Sequence, residues 1–263
     1  MGAVERNRVS VMGAGARTFL LMHGLGWDQR CWRDVAAALA EDARVVLLDQ
    51  VGAGGSDRTA YDPVRHDSLD GYAEDLREVI EVVGGPPPVL VGHSVGATLG
   101  VLVEHARPGT FAGMVLLAPS PRYLAEPGYP ALMTAADLAD FLDLMEANFL
   151  GWAATFAGMA APQAEVARRL EAGLTAFDAR VLRRFTELTL RSDIRAILPS
   201  IDVPTRIVMC AGDAIVPPAL GELMAAAMPR ARCHVVDVAG HFPHITHPAL
   251  VVAQVQELAE ALT

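Results

Sequence analysis

The chain contains no lysine; all 21 of its basic residues are arginine. That absence excludes Schiff-base lysine chemistry, a lysine-anchored pyridoxal phosphate and a phosphate-binding loop built on lysine. Positive charge is scarce as well. The 21 arginines face 31 acidic residues, giving a formal net charge of -10 and a pI near 5.2. Such a balance argues against nucleic acid as a partner and against a polybasic membrane-surface role. Long apolar runs are missing. None approaches roughly 18 residues, so no membrane span is expected. The first eight residues carry Glu5, Arg6 and Arg8, with no apolar segment and small-residue cleavage site behind them. No signal peptide is read there. Cysteine is rare: Cys31, Cys210 and Cys233 are odd in number and widely spaced. They imply neither a disulfide framework nor a zinc motif. A cytoplasmic monomer is the expectation.

What is present is a large apolar content, 52% of 263 residues, and an alternating rhythm. Strand candidates are Val9–Met12, Thr18–Met22, Val45–Leu48, Val89–Val91, Met114–Leu117, Thr205–Cys210 and Cys233–Val238. Helix candidates lie between them at Trp32–Leu39, Leu69–Val83, Ala97–Ala106, Ala219–Met228 and Pro248–Leu262. Nearly continuous apolar strands suit a sheet covered on both faces, and strand–helix alternation makes that sheet mostly parallel. The rhythm stops between Pro121 and Arg195. Leu138, Phe141, Leu142, Met145 and Phe149 follow helical spacing, and Trp152 and Phe156 continue it. Eight of the 15 aromatic residues fall in this stretch: Tyr123, Tyr129, Phe141, Phe149, Trp152, Phe156, Phe177 and Phe185. The expected fold is therefore α/β: a core from residues 1–120 and 196–263, with a helical cap inserted at 121–195. Tyr123, Trp152 and Phe156 are the candidates to line an apolar pocket beneath it.

The strongest motif is Gly92-His93-Ser94-Val95-Gly96, between an apolar strand and a helical pattern. A G-x-S-x-G turn in that context lifts its serine to the strand end, and only small residues fit at its two glycines. A serine hydroxyl is a weak nucleophile that needs a base, itself oriented by an acid. The C-terminal third offers three plausible histidines, His241, His244 and His247. His241 is favoured because it follows the last strand directly; the other two suit loop bonding or helix capping. Asp213 lies just past the strand Thr205–Cys210, whereas Asp202 precedes that strand and Asp237 falls within the next. The acyl-transfer transition state also needs preorganised donors for an oxyanion. The loop His23-Gly24-Leu25-Gly26 can offer the Leu25 amide, and the turn offers that of Val95. His23 is expected to brace its loop. The glycine-rich Gly52–Asp57 lacks dinucleotide spacing and is expected to form a tight turn.

These motifs resemble the α/β-hydrolase superfamily. His23–Gln29, Leu48–Asp57, Ser68–Ala73, Gly92–Ala97 and Gly240–His244 look like its RsbQ-like branch. That branch holds the bacterial stress regulator RsbQ and the plant strigolactone and karrikin receptors. Pro119–Leu124 and Asn148–Ala153 look like segments of its four-helix cap. The resemblance implies a Ser94–His241–Asp213 triad under a V-shaped cap, acting on a small apolar ester or butenolide-like lactone. It also implies a signalling partner, a phosphatase carrying a ligand-sensing PAS domain. No metal or organic cofactor is required. Leu25 stands where relatives usually have Phe, and Trp27 where a small residue is common. The residues leave open a ligand-responsive regulator that acts by protein contact. They also leave open a metabolic carboxylesterase or carbon–carbon bond hydrolase.

Overall fold

The computed structural model describes residues 1–131 and 133–262; Leu132, within the proposed cap, and Thr263, the last residue of the core range, lie outside the described residues. The strands are β1 (Ser10–Met12), β2 (Thr18–Met22), β3 (Arg44–Leu47), β4 (Val89–His93), β5 (Gly113–Leu117), β6 (Thr205–Gly212) and β7 (Ala231–Ala239). They form one sheet in the order β1-β3-β2-β4-β5-β6-β7. Only β1 runs antiparallel, against β3; the other five pairings are parallel.

Both faces of this sheet are covered, and the side-chain period of two divides the core cleanly. Leu20, Val46, Leu90, Met114, Leu116 and Ile207 pack on one face with Leu76, Leu99, Val103 and Leu220. Those partners come from α3 (Leu69–Val83), α4 (Val95–Ala106) and α9 (Pro218–Ala227). Leu21, Val45, Val91, Val115, Leu117 and Val208 pack on the other face with Val35, Leu39, Val251 and Val255. These belong to α2 (Arg33–Leu39) and α11 (Pro248–Glu260). In α3 the buried Leu69, Tyr72, Ala73, Leu76 and Val79 follow the spacing of one helical face. Covering fails at the edge: within β7 only Val238 is buried. Two short helices complete the core, α1 (Ala3–Arg6) and α10 (Pro243–Thr246).

Between β5 and β6 the chain leaves the sheet for four helices. They are α5 (Ala135–Ala147), α6 (Phe149–Ala160), α7 (Ala164–Thr175) and α8 (Ala179–Arg191). The aromatic spacing from Leu138 to Phe156 reads as one helix, but the chain breaks at Asn148. Its backbone leaves the helical region, at φ -148° and ψ 73°, and its side chain accepts a hydrogen bond from the Gly151 amide at 3.0 Å. That side-chain bond caps α6 and begins a new helix. At the foot of the insertion, the Ile194 amide donates to the Pro121 carbonyl at 2.9 Å. Arg122 meets Asp193 at 2.8 Å. The departing and returning segments are thus tied together.

Candidate active site

The site grows from the end of β4. Ser94 has φ 52° and ψ -125°, a left-handed conformation that costs a residue with a Cβ about 1–3 kcal/mol. The turn is tight for a reason visible in its glycines. A Cβ on Gly96 would lie 2.5 Å from the His23 carbonyl oxygen, and one on Gly92 would lie 2.8 Å from the Ala97 backbone. The strained serine is held by its own amide, which donates to the Leu117 carbonyl at 2.9 Å.

Three further loops converge there. After β6, Asp213 accepts from the amides of Ile215 at 2.7 Å and Val216 at 3.1 Å through Oδ1. Its Oδ2 accepts from His241 Nδ1 at 2.7 Å. Both residues are buried. His241 follows β7, and its main chain is pinned: its amide donates to the Ala160 carbonyl at 3.0 Å, and the Gly240 amide to Gly212 at 2.9 Å. After β2, His23 Nδ1 donates to the Gly24 carbonyl at 2.9 Å, and its Nε2 accepts from the Gln50 amide at 3.1 Å. The brace expected of His23 is present in these bonds. Burial lowers its pKa against the opposing pull of Asp49. Among the described residues, no hydrogen bond engages the Leu25 or Val95 amide. Both are therefore left as spare donors.

A cavity of about 30 Å³ sits over Ser94, room for roughly two water molecules. Leu25, Ser94, Tyr123, Phe156, His241 and Phe242 line it, and His93, Phe141, Thr189, Leu190 and Ile215 complete the wall. Ser94 and His241 thus share one cavity, although no hydrogen bond joins the serine hydroxyl to the imidazole among the described residues. Tyr123 is buried with its hydroxyl unpartnered. Burial pushes that hydroxyl up to about 12, against the opposite influence of the nearby Ser94 and Thr98. Trp152, a pocket candidate by its spacing, stands one layer back. It is 1% exposed, stacked on Phe156 at 5.7 Å and edge-on to Phe141 at 5.5 Å. It therefore supports the wall without forming it.

His93, on the cavity wall, belongs to a buried group of imidazoles that includes His244, one of the alternative bases. His93 and His244 are buried with ring centroids 4.5 Å apart, and His244 lies 4.4 Å from Trp32. Burial holds His244 down to about 3 and His93 well below the usual imidazole range. His247, the other alternative base, hydrogen-bonds Thr246 Oγ1 at 2.9 Å on the exposed side of the loop.

Fold and turn together define a class of protein: α/β enzymes that carry a serine between a central strand and its helix. The sequence pattern of the alpha/beta hydrolase family matches residues 19–255, and the chain belongs to that family and is a hydrolase. It is similar to the karrikin insensitive 2 receptor CA of Petunia hybrida, with 31% identity over 257 residues, 96% of this chain and 95% of the receptor. It is likewise similar to strigolactone esterase D14 of Arabidopsis thaliana, with 31% identity over 249 residues, 94% and 93% of the two chains. Among solved structures, a hydrolase from Oleispira antarctica matches with a TM-score of 0.95 and 28% identity, covering 98% of this chain and 96% of that one. These relatives agree with the branch that the sequence motifs resemble. No helix among the described residues is long and apolar enough to cross a membrane.

Proposed function

We propose that the chain is a serine hydrolase that opens a small apolar ester or lactone through an acyl-enzyme. Ser94 attacks the carbonyl carbon while His241 takes the hydroxyl proton on Nε2. Asp213 holds the imidazole in the Nδ1–H tautomer and stabilises the imidazolium. The Leu25 and Val95 amides receive the oxyanion. His241 then returns the proton to the leaving oxygen. A water, deprotonated by the same imidazole, releases the acid and restores Ser94. Residues 121–195 serve as a cap that keeps bulk water from the ester, with Tyr123 and Phe156 against the substrate. We place the protein in the cytoplasm as a monomer.

The observation that supports this reading best is the 2.7 Å His241–Asp213 bond on the wall of the cavity that holds Ser94. The test is hydrolysis of p-nitrophenyl acetate by wild type and Ser94→Ala. Loss of turnover in the variant supports the reading, and unchanged turnover rejects it.

A second reading is favoured by the near full-length match to a receptor. Occupancy of the pocket would then be signalled by protein contact, as in an RsbQ-like regulator working with a PAS-domain phosphatase. Ligand-dependent capture of such a phosphatase by the full chain supports it; capture that ignores both ligand and Ser94 rejects it.

A further inference from the structure

We propose that His93 is a positioning residue that ties the base loop and the oxyanion loop to the nucleophile turn, an inference that rests on the roles given above to Ser94 and His241. His93 is the last residue of β4 and the neighbour of Ser94 in the chain. Its Nε2 donates to the main-chain carbonyl of His241 at 2.9 Å. That bond spans 148 positions of sequence. It fixes the peptide plane that follows His241, and so the direction in which the imidazole leaves the backbone.

The other main-chain anchors of this loop lead elsewhere. The His241 amide goes to Ala160 in the inserted helices, and the Gly240 amide goes to Gly212 at the end of β6. Among the described residues, the His93 bond alone joins Gly240–Phe242 to the turn Gly92–Ala97 by hydrogen bonding. Because Nε2 carries the proton, Nδ1 is bare, and it has no partner. That edge of the ring abuts the oxyanion loop: a Cβ on Gly24 would come within 2.6 Å of Nδ1. Gly24 precedes Leu25, whose amide is the spare donor. The remaining ring contacts are His241 at 4.8 Å, Phe242 at 5.4 Å and His244 at 4.5 Å. One enclosed ring therefore touches two of the loops that must hold register with Ser94. It also stays uncharged, since burial and the adjacent imidazoles of His244, His241 and His23 all disfavour its cation. A neutral ring does not oppose the imidazolium that forms on His241 during attack.

The test compares wild type, His93→Met and His93→Gln. Met fills the space without a donor; Gln keeps an N–H at the reach of Nε2. Melting temperature, kcat and KM for p-nitrophenyl acetate, and the rate of Ser94 labelling by a fluorophosphonate are read for each. Misplacement by about 1 Å costs roughly 100-fold. His93→Met is therefore expected to lose about that much in kcat and labelling rate, with KM held within about twofold. His93→Gln is expected to recover at least about tenfold of the loss. A folded His93→Met with wild-type kcat overturns the proposal, as does a folded His93→Gln no better than Met. Imidazole nitrogen NMR of the wild type needs no variant to fold: the Nε2–H tautomer of His93 supports the proposal, and Nδ1–H overturns it. Wild-type inactivity, or an active Ser94→Ala, would instead reject the serine hydrolase reading itself.

Discussion

His241 Nδ1 and Asp213 Oδ2 lie 2.7 Å apart, while Asp213 Oδ1 is already occupied by the amides of Ile215 and Val216. This division of labour decides what an amide would do in place of the carboxylate. In Asp213→Asn the carbonyl oxygen stays on the two amides, so the NH2 group turns toward Nδ1. His241 then holds its proton on Nε2 and cannot accept one from serine. The expected loss in kcat is roughly 10³–10⁴-fold. Steady-state hydrolysis of p-nitrophenyl acetate measures it, and a loss below tenfold would contradict the assignment of Asp213.

The turn makes a second expectation about stability. Gly96→Ala drives a methyl group to 2.5 Å from the His23 carbonyl oxygen and 2.7 Å from that of Met22. Both are backbone atoms that no side-chain rotation can move aside. The substitution should cost about 1–3 kcal/mol, read as a lowered urea midpoint at unchanged m-value.

The pH dependence of stability follows from the imidazoles. His244 is held near 3 in the folded chain and returns to about 6.5 on unfolding. Between those values the unfolded state binds the extra proton, so stability is complete above about pH 6.5 and falls as the pH drops toward 3. The lowered pKa values of His93 and His23 act with the same sign. Melting temperature should decline through this window. His244→Phe, which keeps a ring against Trp32, should decline less steeply, and an identical slope would remove His244 as a cause.

Cavity size sets a limit on the acyl group. About 30 Å³ over Ser94 suits an acetate better than a longer chain. Phe141, half-buried and on the cavity wall, can be cut back without opening the sheet core. Phe141→Ala should raise butanoate relative to acetate turnover by at least about tenfold. A p-nitrophenyl ester series reports the ratio, and a preference unmoved from wild type would dissociate the wall from selectivity.

Much of this arrangement was legible in the sequence. All seven strands were marked by short apolar runs. Gly92–Gly96 lay where its motif requires, and Asp213 and His241 stood just past their strands. Each of these signals is local. The parts that were not legible depend on tertiary packing. Trp152 and Phe156 sit four residues apart on one helix face, so periodicity could not say which would meet the cavity; the placement of α6 over Phe141 decides that. The break at Asn148 was hidden because aromatic spacing runs across it. His93 gave no sign of its reach, since its partner is a backbone carbonyl 148 positions away. His244 resembled a loop histidine because burial is not visible in one residue's neighbours.

The inserted helices and the base loop are mechanically joined. The amide of His241 is bonded to Ala160 at the end of α6, and Gln163 Nε2 reaches the Ala239 carbonyl at 3.2 Å. The segment bearing the base therefore hangs partly from the roof of its own chamber. Lifting α6 beyond the span of a hydrogen bond must either release His241 or drag it with the helix. On the proposed roles, access and reactivity are coupled: a chamber opened by lifting α6 leaves the loop of His241 only its bonds to Gly212, Asp213 and His93.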